Sequence, residues 1–378
     1  MELINLQALT YSDIALFSSL IFVFLVQVYF LLRYYLKLAL HKDVFVNQDK
    51  RQITVILPVR NEEERIREIL NKFESQQFED YQLIVINEYS EDNTFEILNV
   101  LAESNPRLKI TSLSQETRFS DKQAINIGLK GASSPWIVMI SPTSGDIHPE
   151  WLSKLSSMIS PETDVVVSYT NAERRKGYRN LVCRLERFQQ FVISGAWTLA
   201  GKPFVFSETN VLFKKSMYFD NPGFRHKLNR NFANLELIFN DNIRKGKVEI
   251  TTSPEMSIRE KIEDDRGDHI KLLKKGVQIR QSLSLGKKLS LLTDDLSKVL
   301  LIGLSVALSI IRPEYWMTIL SILFIYFVLY GIIVNLLIRR LNERKLFLSS
   351  TLYILIKPFI NWWFFWFLYI IHRRNRWN

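Results

Sequence analysis

One cysteine, Cys183, and five histidines are scattered through this 378-residue chain. A single thiol forms no intrachain disulfide and has no partner for a Cys-x-x-Cys metal site, which fits a reducing compartment. The histidines fall at no zinc-ligand spacing. Cys183 is therefore expected to be a small, buried apolar side chain. Basic residues are missing from the start of the chain: Glu2 and Asp13 precede the first apolar stretch, which lacks the charged entry of a secretory signal. No nucleic-acid-binding module accompanies the net charge of +10. Lysines and arginines beside a membrane give that surplus a simpler source than a phosphate backbone, so no nucleic-acid partner is expected.

Apolar residues are plentiful, at 47% of the chain, more than a soluble domain of this length needs. They gather at both ends, while the charges gather in the middle. Residues 14–32 read IALFSSLIFVFLVQVYFLL, and a helix rising about 1.5 Å per residue makes that stretch nearly match a hydrocarbon core of about 30 Å. Arg33, Lys37 and Lys42 follow it, so the positive-inside rule predicts everything after Arg33 in the cytoplasm.

Near the other end lie three apolar candidates, 299–311, 315–338 and 346–371. The middle one ends at Arg339, Arg340, Arg344 and Lys345, a cytoplasmic flank. The first is short and stops at Arg312-Pro313-Glu314, a thin span or one arm of a hairpin. The last carries Lys357-Pro358 at its centre, which leaves a re-entrant or interfacial helix open beside a simple span. The expected division is a transmembrane helix over 1–35, a cytoplasmic domain over 36–296 and transmembrane or interfacial helices over 297–378. The membrane expected is an inner or plasma membrane.

Between the membrane segments, apolar runs at 53–57, 83–86, 108–110, 137–140 and 165–167 alternate with helical patterns such as Ile66, Ile69, Leu70 and Phe73. Fully apolar strands separated by helices predict a doubly wound, mainly parallel α/β sheet, in which ligands bind beyond the carboxyl ends of the strands. After the first run comes Pro58-Val59-Arg60-Asn61-Glu62, where the proline is expected to end the strand. After the second comes Asn87-Glu88-Tyr89-Ser90-Glu91-Asp92, in which Ser90 or Asp92 can cap a helix. The stripe through Leu181, Leu185, Phe188, Val192, Ala196 and Leu199 predicts a helix packed on the domain or lying at the membrane interface, with Arg184, Arg187, Gln189 and Gln190 on its other faces. Arg259, Arg266 and Arg280 read as ordinary solvated charges.

Taken together, ITVILPVRNEEERI and LIVINEYSEDNT resemble the opening of the family-2 glycosyltransferases, with their P-x-x-N-E and acidic D-D-x-S-x-D turns. Ser120 to Leu129 is similar to the family's G-K-x-x-A-L-N-x-G-L helix. Trp136 to Ile140 is similar to its strand before the metal site, Pro149-Glu150-Trp151-Leu152 to the segment after it, and Asn210 to Lys215 to its N-L-A-Y-R-K. The resemblance implies a membrane-anchored GT-A fold that transfers a sugar from a nucleotide-diphosphate donor, usually with inversion. The implied partners are a nucleotide sugar, a lipid-linked or glycan acceptor, the membrane and other envelope-glycan enzymes. It implies donor contacts from Pro58, Arg60, Asn61, Glu62, Asn87, Glu88, Asp92, Lys122 and Asn126, and Mg²⁺ or Mn²⁺ on a D-x-D pair.

Departures fall where the chemistry is done. At the D-x-D register stand Ser141-Pro142-Thr143, without the negative charge that attracts a hard cation, and Asp146 lies a few residues on. At the position of the family's catalytic base stands Asn234, whose amide accepts no proton near neutral pH. Glu236 remains, though on a helix it would point about 200° from Asn234. The family's acceptor-side Q-x-x-R-W has only a partial match in Gln278-Ile279-Arg280. Two readings stay open: a working transferase in envelope-glycan synthesis, and a non-catalytic relative that binds or scaffolds an active enzyme. A transporter would need polar residues inside several spans, and only Lys357 qualifies. The transferase reading expects Asn87, Lys122, Ser141 and Asn234 to line one cleft.

Overall fold

The computed structural model describes residues 10–46, 51–228, 230, 232–243, 247–262 and 268–374, so Glu2 and Arg266 lie outside the described residues. The chain divides into two compact units, His41–Ser282 and Met1–Leu40 together with Leu283–Asn378.

The first unit is built on β1 (Ile53–Val59), β2 (Tyr81–Asn87), β3 (Leu108–Ser112), β4 (Trp136–Met139), β5 (Val165–Val167), β6 (Thr170–Ala172), β7 (Val211–Lys214), β8 (Val248–Ile250) and β9 (Ile258–Glu260). Seven strands form one sheet in the order β3-β2-β1-β4-β7-β5-β8, and β6 pairs with β9 in a small second sheet. Within the large sheet every pairing is parallel except those of β7, which runs antiparallel to both β4 and β5. Each residue of β2 is buried, as expected of a sheet covered on both faces. One of those covers, the helix Ser120–Gly131, lies so close that a Cβ at Gly128 would sit 2.9 Å from both Ile56 Cγ2 and Ile86 Cδ1.

Three expectations change here. Pro58 does not end β1 but lies within it, opposite Ile86. Ile56 O accepts from Ile140 N at 3.0 Å, and two residues on Pro58 turns its nitrogen the same way, beyond the end of β4, where no partner asks for an N–H. The helix Tyr178–Leu199 buries its polar faces as well as its apolar stripe, including Arg184, Gln189 and Gln190. Arg259 is half-buried over the Tyr169 ring, 5.0 Å from its centroid. Cys183 is buried and in no disulfide, as expected.

The second unit is helical. Its first helix runs Tyr11–Ala39 through a π turn at Leu31–Tyr35, opened by a Thr10–Asp13 capping box. It, Pro313–Arg340 and Phe347–Ile370 are long and apolar enough to cross a membrane. The short candidate at 299–311 is instead the second half of a 27-residue helix, Leu285–Ile311. That helix turns polar residues inward: Gln27 Nε2 donates to Ser297 Oγ (2.6 Å) and Asp294 O (3.1 Å), and Tyr35 Oη donates to Asp294 Oδ2 (2.8 Å). Lys298 pairs with Asp294 at 2.5 Å, and Arg312 clasps Asp13. The last helix, Phe347–Arg374, continues unbroken through Pro358. Lys357 is buried beside the Tyr353 ring within the unit.

Candidate functional site

The loops leaving β1 and β2 are stitched to each other. Asn61, at φ +53°, receives Glu91 N–H on Oδ1 at 2.9 Å and gives its own N–H to Ser90 Oγ at 3.0 Å. Asp92 accepts from Glu63 N (3.1 Å), Thr94 N (3.0 Å) and Thr94 Oγ1 (2.6 Å), and Glu62 N donates to Thr94 Oγ1 at 2.8 Å. Asp92 thus clamps the two loops together just ahead of the helix Thr94–Ser104, whose N-cap is Asn93 rather than the expected Ser90 or Asp92. Burial raises the carboxyl pKa of Glu62, against the pull of Arg65. Arg60 reaches outward to Glu116 at 2.7 Å.

Asn87 is buried at the carboxyl end of β2, with Nδ2 on Ser112 Oγ at 3.0 Å and Oδ1 taking Ser90 N–H at 3.2 Å. Burial, followed by the nearby Asp121 charge, raises Glu88 to about 7. Lys122 is buried, with Nζ on the Arg230 carbonyl at 2.7 Å, and that burial lowers its pKa. Together with Asn126, Tyr218 and Phe224 it lines a hollow of about 350 Å³. Tyr218 Oη donates to Asn126 Oδ1 at 3.2 Å.

A second, more polar cavity of about 210 Å³ lies elsewhere in the unit, lined by Ser141, Ser168, Thr170, Arg187, Glu260 and Lys275 among others. Arg187 pairs with Glu260 at 2.7 Å. Ser168 Oγ, Thr170 Oγ1 and Arg187 Nε are buried without a hydrogen-bond partner, the condition that a polar ligand or water relieves. Ser141 Oγ and Thr143 Oγ1, at the register expected for the metal, lie 2.7 Å apart and bond each other. Asp146 is exposed and turned toward Lys261. Among the described residues no group of three His, Cys, Asp or Glu side chains gathers to hold a metal ion. This donor set does not fit Mg²⁺ or Mn²⁺, which bind through carboxylate oxygens.

Asn234 is not inside a helix. It is the N-cap of Leu235–Asn242, with φ −121° and ψ −105°, so the 200° offset expected between residues 234 and 236 does not apply. Glu236 instead turns back, and its Oε2 takes Asn234 N–H at 2.9 Å. Its side chain is 0% exposed and its Oε1 is ion-paired with Lys275 Nζ. Burial raises the Glu236 pKa and Glu208 adds to the rise, with Lys275 opposing both. On Lys275 the order reverses: burial pulls downward, but Glu236 and Glu208 outweigh it and hold the ammonium charged.

Glu208 was not among the residues expected from sequence. It accepts from Asn234 Nδ2 (3.3 Å) and Leu235 N (3.2 Å), and lies 3.5 Å from Lys275 Nζ. Arg187, Lys275 and Glu260 were missed as site residues as well; the one local signal is the acidic Glu208 directly before the buried strand β7. Gln278 Oε1 takes Phe232 N–H at 3.2 Å, which ties the helix Asp268–Ser282 to the segment before Asn234, while Arg280 is half-buried.

Of the four residues expected to line one cleft, Ser141 lines the 210 Å³ cavity and Lys122 the 350 Å³ hollow, while Asn87 and Asn234 are among the lining residues of neither. Asn87 is engaged at the carboxyl end of β2 and Asn234 at a helix terminus. Lys275 joins the Ser141 cavity to the cluster at 234–236, and Glu208 acts electrostatically on Glu88 and Lys122.

A mainly parallel α/β sheet with ordered loops beyond its first two strands, joined to apolar helices, defines a GT-A type glycosyltransferase fold. Residues 54–219 match the model of glycosyl transferase family 2. It is 26% identical over 199 residues to the poly-beta-1,6-N-acetyl-D-glucosamine synthase of Staphylococcus aureus, an alignment covering 51% of this chain and 47% of the synthase. It is 31% identical over 133 residues to an uncharacterized glycosyltransferase, YkcC, of Bacillus subtilis, covering 33% of this chain and 38% of that one. The chain thus spans about half, or less, of the length of these relatives. Among solved structures, the mannosyltransferase PcManGT of Pyrobaculum calidifontis, in complex with GDP-Man and Mn²⁺, is similar with a TM-score of 0.48 and 17% identity, covering 83% of this chain and 98% of that one. TarS residues 1–349 of S. aureus are similar with a TM-score of 0.45 and 14% identity, covering 82% and 89%.

Proposed function

We propose that this protein is a membrane-bound glycosyltransferase that moves a sugar from a nucleotide-diphosphate donor to a lipid-linked or glycan acceptor in cell-envelope glycan synthesis. The observation that carries the reading is a family-2 segment whose sheet leads into a polar cavity with unpartnered buried groups beside a carboxylate and ammonium cluster. The named relative, a synthase of an N-acetylglucosamine polymer, supports a glycan product. The soluble unit faces the cytoplasm of an inner or plasma membrane in this reading, supported by Arg33, Lys37 and Lys42 after the first apolar helix and Arg339, Arg340, Arg344 and Lys345 after a later one.

In the proposed reaction Pro58, Arg60, Glu62, Glu88, Lys122 and Asn126 contact the donor, while Asn61, Asn87 and Asp92, already engaged, hold the loops in place. Gln278 and Arg280 stand on the acceptor side. Charge on the leaving diphosphate is met by ammonium and guanidinium groups, with Lys122, Lys275 and Arg187 the candidates, because the hydroxyls at 141 and 143 do not fit a divalent cation. Thermal-shift titration of the detergent-purified chain with a panel of UDP- and GDP-sugars tests this. Stabilisation and turnover insensitive to EDTA are expected. Ser141→Asp with Thr143→Asp is expected to create a response to Mn²⁺ that the natural chain lacks, about 2.7 kcal/mol when the ion is at 100 times its Kd.

The second reading, a non-catalytic relative that scaffolds an active enzyme, is favoured by the amide at 234. Donor binding without turnover would establish it, and adding Asn234→Asp to the pair of aspartates would then be expected to produce donor hydrolysis.

A further inference from the structure

We propose that Glu208 is the general base of the sugar transfer, taking the acceptor proton that the amide at position 234 does not accept. The inference rests on the transferase reading above and names the residue that completes it.

Two carboxylates stand beside Asn234, and they differ in access. Glu236 is 0% exposed, with Oε2 committed to the Asn234 N–H and Oε1 against Lys275, so a substrate hydroxyl has no approach to it. Glu208 is 13% exposed and keeps a route outward. Its Oε1 lies 3.3 Å from Asn234 Nδ2, so a carboxylate oxygen stands within one hydrogen bond of the substituted position. Leu235 N–H holds Oε2 at 3.2 Å and so fixes the orientation of the group. The chain neighbours Ser207 and Thr209, and the ion partner Lys275, all line the polar cavity that contains Ser141. The carboxylate thus arises from the loop before β7, a segment far in sequence from residue 234, and the side-chain amide of 234 helps to hold it.

The step balances with the two proposed substrates alone. The acceptor hydroxyl oxygen attacks the anomeric carbon and forms the new C–O bond, while the bond from that carbon to the diphosphate oxygen breaks and its electron pair leaves with the nucleoside diphosphate. The hydroxyl proton passes to a Glu208 oxygen and is lost to water before the next turnover. Lys275 Nζ stands 3.5 Å from Glu208 Oε1, within ion-pairing distance.

The test uses the full chain in detergent or nanodiscs, supplied with a membrane-lipid acceptor extract and the same panel of UDP- and GDP-sugars, with nucleoside diphosphate release and labelled product as readouts. Glu208→Gln is expected to lower kcat by about 10²-fold or more and to leave the donor KM within a few-fold. Asn234→Asp added to Glu208→Gln is expected to restore at least tenfold, since the new carboxylate occupies the adjoining position; a residue that merely braces the loop would not be rescued in this way. Should Glu208→Gln melt early, Glu208→Asp, with its carboxylate withdrawn by one methylene, serves in its place and is expected to lose kcat while melting normally. A kcat within fivefold of the natural chain in both single variants overturns the assignment and leaves the transferase reading standing. A natural chain that binds a donor but never releases nucleoside diphosphate overturns both.

Discussion

The two halves of the sheet-bearing unit handle their polar groups in opposite ways. In the first half, beyond β1 and β2, Asn61, Glu63, Ser90, Asp92 and Thr94 satisfy one another across the two loops. In the second half, Ser168, Thr170 and Arg187 keep buried atoms without partners around a cavity, and Glu236 is a wholly buried carboxyl facing a lysine. A satisfied set is a frame. An unsatisfied buried set is a cost in stability, on the order of 1–3 kcal/mol per group, and strain of that kind collects where a ligand is to be met.

The strongest challenge to this contrast is Lys275→Met. Glu236 would then be buried with Glu208 as its remaining charged neighbour, and breaking a buried pair costs about 3 kcal/mol. The loss should be largest at pH 8 and smaller at pH 5, because a carboxyl whose pKa is raised in the fold is tolerated when protonated and opposed when ionised. Urea melts at the two pH values measure it, and a loss independent of pH would break the contrast.

Asp92→Ala comes next. It removes the acceptor for three hydrogen bonds, so stability should fall by about 2 kcal/mol, with donor affinity moving less than in Arg60→Ala. A fall in affinity at unchanged stability would place Asp92 among the ligands and dissolve the frame.

The smallest effect is at Glu88, a strongly perturbed carboxyl of the first half. Its folded pKa of about 7 lies above the unfolded carboxylate value of about 4.3, so the folded state favours the protonated form and loses stability as pH rises through that interval. Glu88→Gln should melt like the natural chain at pH 5 and be more stable by about 1 kcal/mol at pH 8, the shift being discounted for its partial exposure.

The same contrast explains what the sequence disclosed. Strands β1, β2 and β4 were legible because each is a run of apolar residues buried on both faces, and the helices between them because Ile66, Ile69, Leu70 and Phe73 recur at helical spacing. Pro58 misled because a break in hydrogen-bonding capacity was read as a break in the strand; whether a missing donor matters depends on the neighbouring strand's length, which local spacing does not encode. The short β6 and β9, three residues each, leave too little pattern to find. The site divided the same way. Ser141 and Asn234 stood out by motif register, whereas Glu208 gains its meaning from groups 26 and 27 residues on, and Lys275 from groups farther still. Such meetings are made by the fold, not by the spacing.

The helical unit carries a consequence for how the protein is made. Gln27 finds Ser297 across 270 residues, and Asp13 finds Arg312 across 299. With translation at about 5–20 residues per second, the first apolar helix waits on the order of tens of seconds before the groups that satisfy its glutamine and aspartate leave the ribosome. During that interval the intervening sheet-bearing unit has time to fold, so the helical unit is the last part of the chain to be completed.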